Sequence, residues 1–152
     1  MRMQVFRGLP RSELRAPCAL TIGNFDGVHR GHQALLARVV AAARARDIAA
    51  AVMTFEPHPR ELFTPERAPM RISSLRDKLG ALAEQGIDRA IVQHFNRPFA
   101  SLTAEAFVDL LISGCDARWL LVGDDFRFGA RRTGDIALLQ RHAGRGAFEL
   151  EQ

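Results

Sequence analysis

Along this chain, short runs of consecutive apolar residues alternate with longer segments whose apolar residues recur every three or four positions. Ala19-Leu20-Thr21-Ile22 is the first such run, and Leu35, Leu36, Val39, Val40 and Ala43 follow at helical spacing. The pattern predicts a buried strand and then a helix with one apolar face. Ile48 to Phe55 reads as a second buried strand. Glu56-Pro57-His58-Pro59 must end it, because each proline fixes its own backbone and restricts the residue before it. No regular period holds from Arg60 to Ile72, where Pro65 and Pro69 fall; a connection of that length in a compact domain is usually functional, often a flap or lid. Ser74 as N-cap, Asp77 three residues on, Leu75, Leu79 and Leu82 on one face and Gly86 at the end predict a helix over 74–85. Ala90-Ile91-Val92 restores the strand pattern. Thr103 caps a helix carrying Phe107, Val108, Leu111 and Ile112 and closed by Gly114, and Trp119-Leu120-Leu121-Val122 makes the next strand. The loop Gly123 to Gly134 then leads into a helix with Ile136, Leu138 and Leu139, and Ala147-Phe148-Glu149-Leu150 reads as one more strand.

Strands alternating with helices over short connections predict an α/β domain, a parallel sheet flanked by helices. With 152 residues, 47% hydrophobic and 25% charged, the chain is expected to form one domain over 1–152 with a real core. No apolar stretch reaches the roughly 18 to 20 residues of a membrane span, and Met1-Arg2-Met3-Gln4-Val5-Phe6-Arg7-Gly8 lacks the apolar run of a secretory signal. No membrane partner is expected, and a cytoplasmic location is. Cys18 and Cys115 are widely separated, which gives neither a disulfide framework nor a zinc knuckle, so they read as inert core thiols. The net charge of +4 is carried almost wholly by arginine, Lys78 being the only lysine. Those arginines are interleaved with acids and form no basic stripe, so no nucleic-acid partner is expected.

Chemistry concentrates where the first strand meets its helix. Gly23-Asn24-Phe25-Asp26-Gly27-Val28-His29-Arg30-Gly31-His32 places two histidines three residues apart in a glycine-rich turn. A helix N-terminus presents unpaired N–H groups and the positive end of its dipole, so a nucleotide phosphate can sit there. In doubly wound sheets ligands lie beyond the carboxyl ends of the strands where the order reverses. With strand order 3-2-1-4-5, the loops Gly23 to Gly31, Thr54 to Pro59 and Gly123 to Gly129 would face one cleft.

Three motifs in this order, the glycine turn above, Thr54-Phe55-Glu56-Pro57-His58-Pro59, and Val122-Gly123-Asp124-Asp125-Phe126-Arg127-Phe128-Gly129, resemble the FMN adenylyltransferase (FAD synthetase) module of the bacterial bifunctional riboflavin kinase/FAD synthetases. The resemblance covers essentially the whole chain. It implies a Rossmann-like domain of the His-x-Gly-His nucleotidyltransferase superfamily that converts ATP and FMN to FAD and pyrophosphate with Mg2+. It further implies that His29 and His32 hold ATP phosphates, that Gly23, Asn24, Phe25, Asp26, Gly27, Gly31 and Gly123 border the nucleotide, and that Asp125 contacts the reacting phosphates or their magnesium. Pro57, His58, Pro59, Phe63 and Arg67 match positions bordering the flavin and its phosphate, and Phe126 and Phe128 could close that pocket.

Plainer roles stand beside some of these. Asp26 also suits an Asx-turn, Pro57 and Pro59 suit shaping the turn, and Phe126 and Phe128 alternate as core residues of an extended segment do. His29, His32, His58 and Glu56 are residue types that zinc prefers, although zinc-protease spacing is absent. Ile72-Ser73-Ser74-Leu75-Arg76 resembles the family's Ser/Thr phosphate motif, but it precedes a helix early in the chain, where Ser74 serves as an N-cap. The family motif is expected after the last strand, past Gln152, as is the riboflavin kinase module; kinase activity is expected outside these residues. Two further readings remain open: another nucleotidyltransferase of the superfamily, and a non-catalytic nucleotide- or flavin-binding module.

Overall fold

The computed structural model describes residues 2–25, 28, 30–57 and 74–152. Its strands are β1 (Gln4–Arg7), β2 (Cys18–Ile22), β3 (Ala49–Glu56), β4 (Arg89–His94), β5 (Ala117–Leu121) and β6 (Glu149–Glu151). They form one sheet in the order β1-β4-β3-β2-β5-β6, every neighbouring pair parallel. The five expected strands therefore stand in the expected order 3-2-1-4-5. β1 is an addition at the edge beside β4, and the hydrophobic pattern missed it because only Phe6 of its four residues is partly covered.

A parallel strand buried on both faces reads as a continuous apolar run. All five residues of β2 are buried, as are Ala50, Ala51, Val52, Met53 and Thr54 of β3. Alternate side chains feed two cores. On one face Ala19, Ala50, Val52, Trp119 and Leu121 pack with Leu36, Val39, Ala42 and Ala43 of α1 (Arg30–Arg46) and Leu82 of α2 (Leu75–Glu84). A one-turn helix, α3 (Arg97–Ala100), precedes α4 (Ala104–Asp109), and α5 (Ile136–Gly144) follows the β5 loop. On the other face Leu20, Ile22, Ala51, Met53, Ile91 and Leu120 pack with Phe107 and Val108 of α4, Leu111, and Leu138 and Leu139 of α5.

Burial of one Leu or Val contributes about 1.5–3 kcal/mol. Arg38 also meets Glu151 at 2.6 Å and Arg46 meets Glu149 at 2.6 Å, both guanidinium groups lying over the Trp119 ring. Exposed pairs of this kind are screened by water and salt, so packing rather than charge fastens α1 to the sheet.

The expected caps are present. Ser74 Oγ accepts from the Asp77 N–H at 3.1 Å and Thr103 Oγ1 from the Ala106 N–H at 3.1 Å. Two caps were not expected, Asn96 Oδ1 on the Phe99 N–H and Asp135 Oδ1 on the Leu138 N–H. Beyond α4 the backbone widens into a π-turn over Leu110–Gly114. β6 starts two residues later than expected, Phe148 being turned into the core at 5% exposure. Cys18 and Cys115 are buried, and burial pushes each thiol up to about 12; the Cys18 thiol donates to the Cys115 carbonyl at 3.3 Å. Among the described residues no helix is long and apolar enough to cross a membrane.

Candidate functional site

The carboxyl ends of β3, β2 and β5 lie side by side, since these three strands are neighbours in one parallel register. Hydrogen bonds tie their exits together. The Gly23 N–H donates to the Met53 carbonyl at 3.0 Å, Thr54 Oγ1 donates to the Asn24 carbonyl at 3.0 Å, and Thr21 Oγ1 donates to the Leu121 carbonyl at 2.9 Å. Both threonines are buried, so these bonds satisfy hydroxyls that would otherwise be costly to desolvate.

The first loop departs from β2 through Gly23 and Asn24 and turns at Phe25, whose φ of 53° is left-handed. A non-glycine residue adopts that conformation only where its surroundings hold it. Phe25 is 4% exposed, and its ring folds back so closely that a Cβ on Gly23 would lie 3.0 Å from a ring carbon. Glycine at 23 thus admits the Phe25 ring. Asn24 Oδ1 is itself buried. α1 then opens at Arg30, carrying Gly31, which is exposed, and His32, which is half-buried, in its first turn. The His32 ring meets the Phe25 ring edge-on, with centroids 5.2 Å apart and planes at 69°. Gly23, Asn24, Phe25 and His32 therefore form one cluster at the helix start. Asp26, Gly27 and His29 lie outside the described residues.

The second loop leaves β5. The Phe126 N–H donates to the Gly123 carbonyl at 3.1 Å, closing a turn that leaves Gly123, Asp124 and Asp125 exposed. Phe128 pairs with Gly134 in an antiparallel bridge, and a Cβ on Gly134 would meet the Phe128 ring at 2.3 Å, so only glycine fits there. Phe128 is 6% exposed, stacks on Phe126 at 5.4 Å and meets Phe107 in a tilted contact at 5.2 Å. Its ring belongs to the core, whereas Phe126 is half-buried. Arg127 reaches Asp135 at 3.7 Å.

The third loop begins at Phe55 and Glu56, where the Phe95 N–H donates to the Glu56 carbonyl at 3.0 Å, and continues into a cis Glu56–Pro57 peptide. Pro57 is half-buried. His58, Pro59, Phe63 and Arg67, together with the rest of the segment Arg60 to Ile72, lie outside the described residues.

Two features of this pole escaped the sequence reading. One is a row of aromatic rings: Phe55 contacts Phe95 and Phe99, Phe99 contacts Phe107, and Phe107 leads to Phe128 and Phe126, each at centroid distances of 5.2–6.1 Å. The row runs from the end of β3 to the β5 loop. Its members come from five separate segments, so no local period marks it. The other is Lys78, 5% exposed on the inward face of α2, whose Nζ donates to Thr54 Oγ1 at 3.2 Å. A lone lysine on an apolar stripe was the available signal. Among the described residues no group of three or more His, Cys, Asp or Glu side chains is placed to hold a metal ion. The exposed Asp124 and Asp125 carboxylates offer oxygen donors of the kind magnesium accepts.

Known proteins are similar to this chain in sequence, and one solved structure is similar to it in fold. The bifunctional riboflavin kinase/FMN adenylyltransferase of Escherichia coli (strain K12) is 48% identical over 152 residues, covering 97% of this chain and 48% of that protein. The protein of the same name from Pseudomonas fluorescens is 50% identical over 145 residues, covering 93% of this chain and 46% of the relative. The chain thus spans about half the length of the curated relatives it matches. A solved structure titled a macrolide-efflux protein, from Streptococcus pneumoniae, superposes with a TM-score of 0.79 at 25% identity over 99% of this chain and 50% of that one. The sequence profile of the FAD synthetases matches residues 11–152, and the chain belongs to the FAD synthetase family.

Proposed function

We propose that this domain transfers the adenylyl group of ATP to FMN, giving FAD and pyrophosphate. A phosphate oxygen of FMN attacks the α-phosphorus of ATP, the bond from that phosphorus to the β-phosphate bridging oxygen breaks, and pyrophosphate leaves. No side-chain nucleophile is required, so the protein's task is alignment and charge stabilisation. The observation that carries the reading is the meeting of the Gly23, Thr54 and Gly123 loops at the carboxyl ends of three adjacent parallel strands, where a doubly wound sheet binds nucleotides. The names of the relatives point the same way.

In this scheme His29 and His32, with the N–H groups at the start of α1, hold the ATP phosphates and the departing pyrophosphate. Gly23, Asn24, Phe25, Asp26, Gly27, Gly31 and Gly123 border the nucleotide. Asp125 would supply an oxygen to a magnesium ion that neutralises phosphate charge. On the acceptor side, Pro57, His58, Pro59, Phe63 and Arg67 take the flavin and its phosphate with Phe126; Phe128 backs Phe126 from the core. The aromatic row from Phe55 to Phe128 gives that side a rigid apolar wall. A riboflavin kinase module in the remaining half of a relative-length protein would supply the FMN, and the cytoplasm, where ATP and FMN are available, is the proposed compartment.

Chromatography of FAD formed from FMN and magnesium with ATP or with CTP tests this. FAD with ATP alone supports the reading, and an adduct with CTP alone replaces it with another nucleotidyl transfer.

A further inference from the structure

α2 turns Leu82 into the core, and the residue one helical turn earlier on the same face is Lys78. An amphipathic helix reserves that face for apolar side chains, and a polar group there must be satisfied or it costs stability. Lys78 Nζ donates to Thr54 Oγ1 at 3.2 Å, and Thr54 Oγ1 donates to the Asn24 carbonyl at 3.0 Å. A hydroxyl has a single hydrogen. Because the lysine occupies Thr54 as an acceptor, that hydrogen is committed to Asn24.

Asn24 is the residue before Phe25, the left-handed residue of the turn, and Phe25 is the ring against which His32 packs. In a trans peptide the carbonyl and the following N–H point opposite ways. Holding the Asn24 oxygen toward Thr54 therefore also fixes the direction of the Phe25 N–H and the entry to the strained turn. Thr54 is fully buried and Lys78 nearly so, so the chain of bonds is shielded from competing water.

We propose that Lys78 is a positioning residue for adenylyl transfer: acting through the Thr54 hydroxyl, it locks the Asn24–Phe25 turn and with it the placement of His32. The inference rests on the adenylyl-transfer reading for its kinetic consequence, while its structural consequence can be read without any catalysis.

The test uses Lys78→Met, Thr54→Val, their double variant and Thr54→Ser in the intact polypeptide that carries this domain. Displacing a catalytic group by about 1 Å can cost about 100-fold in rate. Lys78→Met and Thr54→Val should each lower kcat for FAD formation by about that factor, with KM for FMN within about twofold. The double variant should fall no further, since both act in series on one carbonyl, and Thr54→Ser should retain most of the activity. Single variants that melt earlier but keep wild-type kcat per folded molecule overturn the inference, as does a double variant whose losses multiply. If Lys78→Met does not fold, Thr54→Val against Thr54→Ser decides, equal kcat values overturning it. Amide exchange at Phe25, followed by NMR, gives the second readout. It should quicken about tenfold or more in Thr54→Val with global stability matched, and unchanged exchange overturns the relay whether or not FAD is made. Wild-type protein that makes no FAD while Phe25 exchange still responds would break the adenylyl-transfer reading and leave the relay standing.

Discussion

Of the two motif histidines, His32 lies among the described residues. It is half-buried in the first turn of α1 and braced edge-on by Phe25, whose own left-handed backbone is hemmed in by Gly23 and the Asn24–Thr54 bond. A donor held this way loses little on reorganising as charge develops in the transition state. His32→Ala should therefore lower adenylyl transfer by about 10²- to 10³-fold. Near-normal FAD synthesis in that variant would remove His32 from the mechanism. The glycine turn was legible in the sequence because its residues are contiguous. The aromatic row and the Lys78–Thr54–Asn24 chain were not, because their members come from different elements that meet only once the sheet is assembled.

Elements with strong local signals appeared where their patterns placed them. α2 begins after Ser74, whose hydroxyl takes the Asp77 N–H, and α4 begins after Thr103 in the same way. The cap explains Ser74 fully, although its neighbours look like a phosphate motif. Ser74→Ala should cost about 1 kcal/mol in chemical denaturation and leave KM for ATP unchanged; weakened ATP use at unchanged stability would return Ser74 to the nucleotide site. Weak local signals were missed. β1 is four residues long at an exposed edge, α3 is a single turn whose Pro98 reads as a breaker, and the π-turn at Leu110–Gly114 changes hydrogen-bond partners without changing the apolar period.

At the scale of the sheet, alternation of buried strands with helices predicted the parallel arrangement, while the order about β2 came with the doubly wound reading, and the observed order agrees with it. Ion pairs trim this frame at its periphery. Burial alone would raise the Asp88 carboxyl, but bonds from Arg44 at 2.8 Å and from the Ala50 N–H at 2.8 Å outweigh it and lower the pKa. Glu149 and Glu151 are lowered chiefly by their bonds to Arg46 and Arg38. A carboxyl with a depressed folded-state pKa stabilises the fold above its unfolded value and loses that contribution as pH falls through the folded one. Thermal stability should therefore drop as pH falls below about 4, with a shallower drop in Asp88→Asn. An equal slope in that variant would show that Asp88 carries no share of the acid response.

The joining of three loops into one adenylyl-transfer site is tested most directly by following isotopic phosphorus. The intact polypeptide would be supplied with FMN, magnesium and ATP labelled at either the α- or the γ-phosphate. The α-label should appear in FAD and the γ-label only in pyrophosphate. A γ-label entering the flavin product, or no label in flavin from either ATP, would contradict adenylyl transfer at this site.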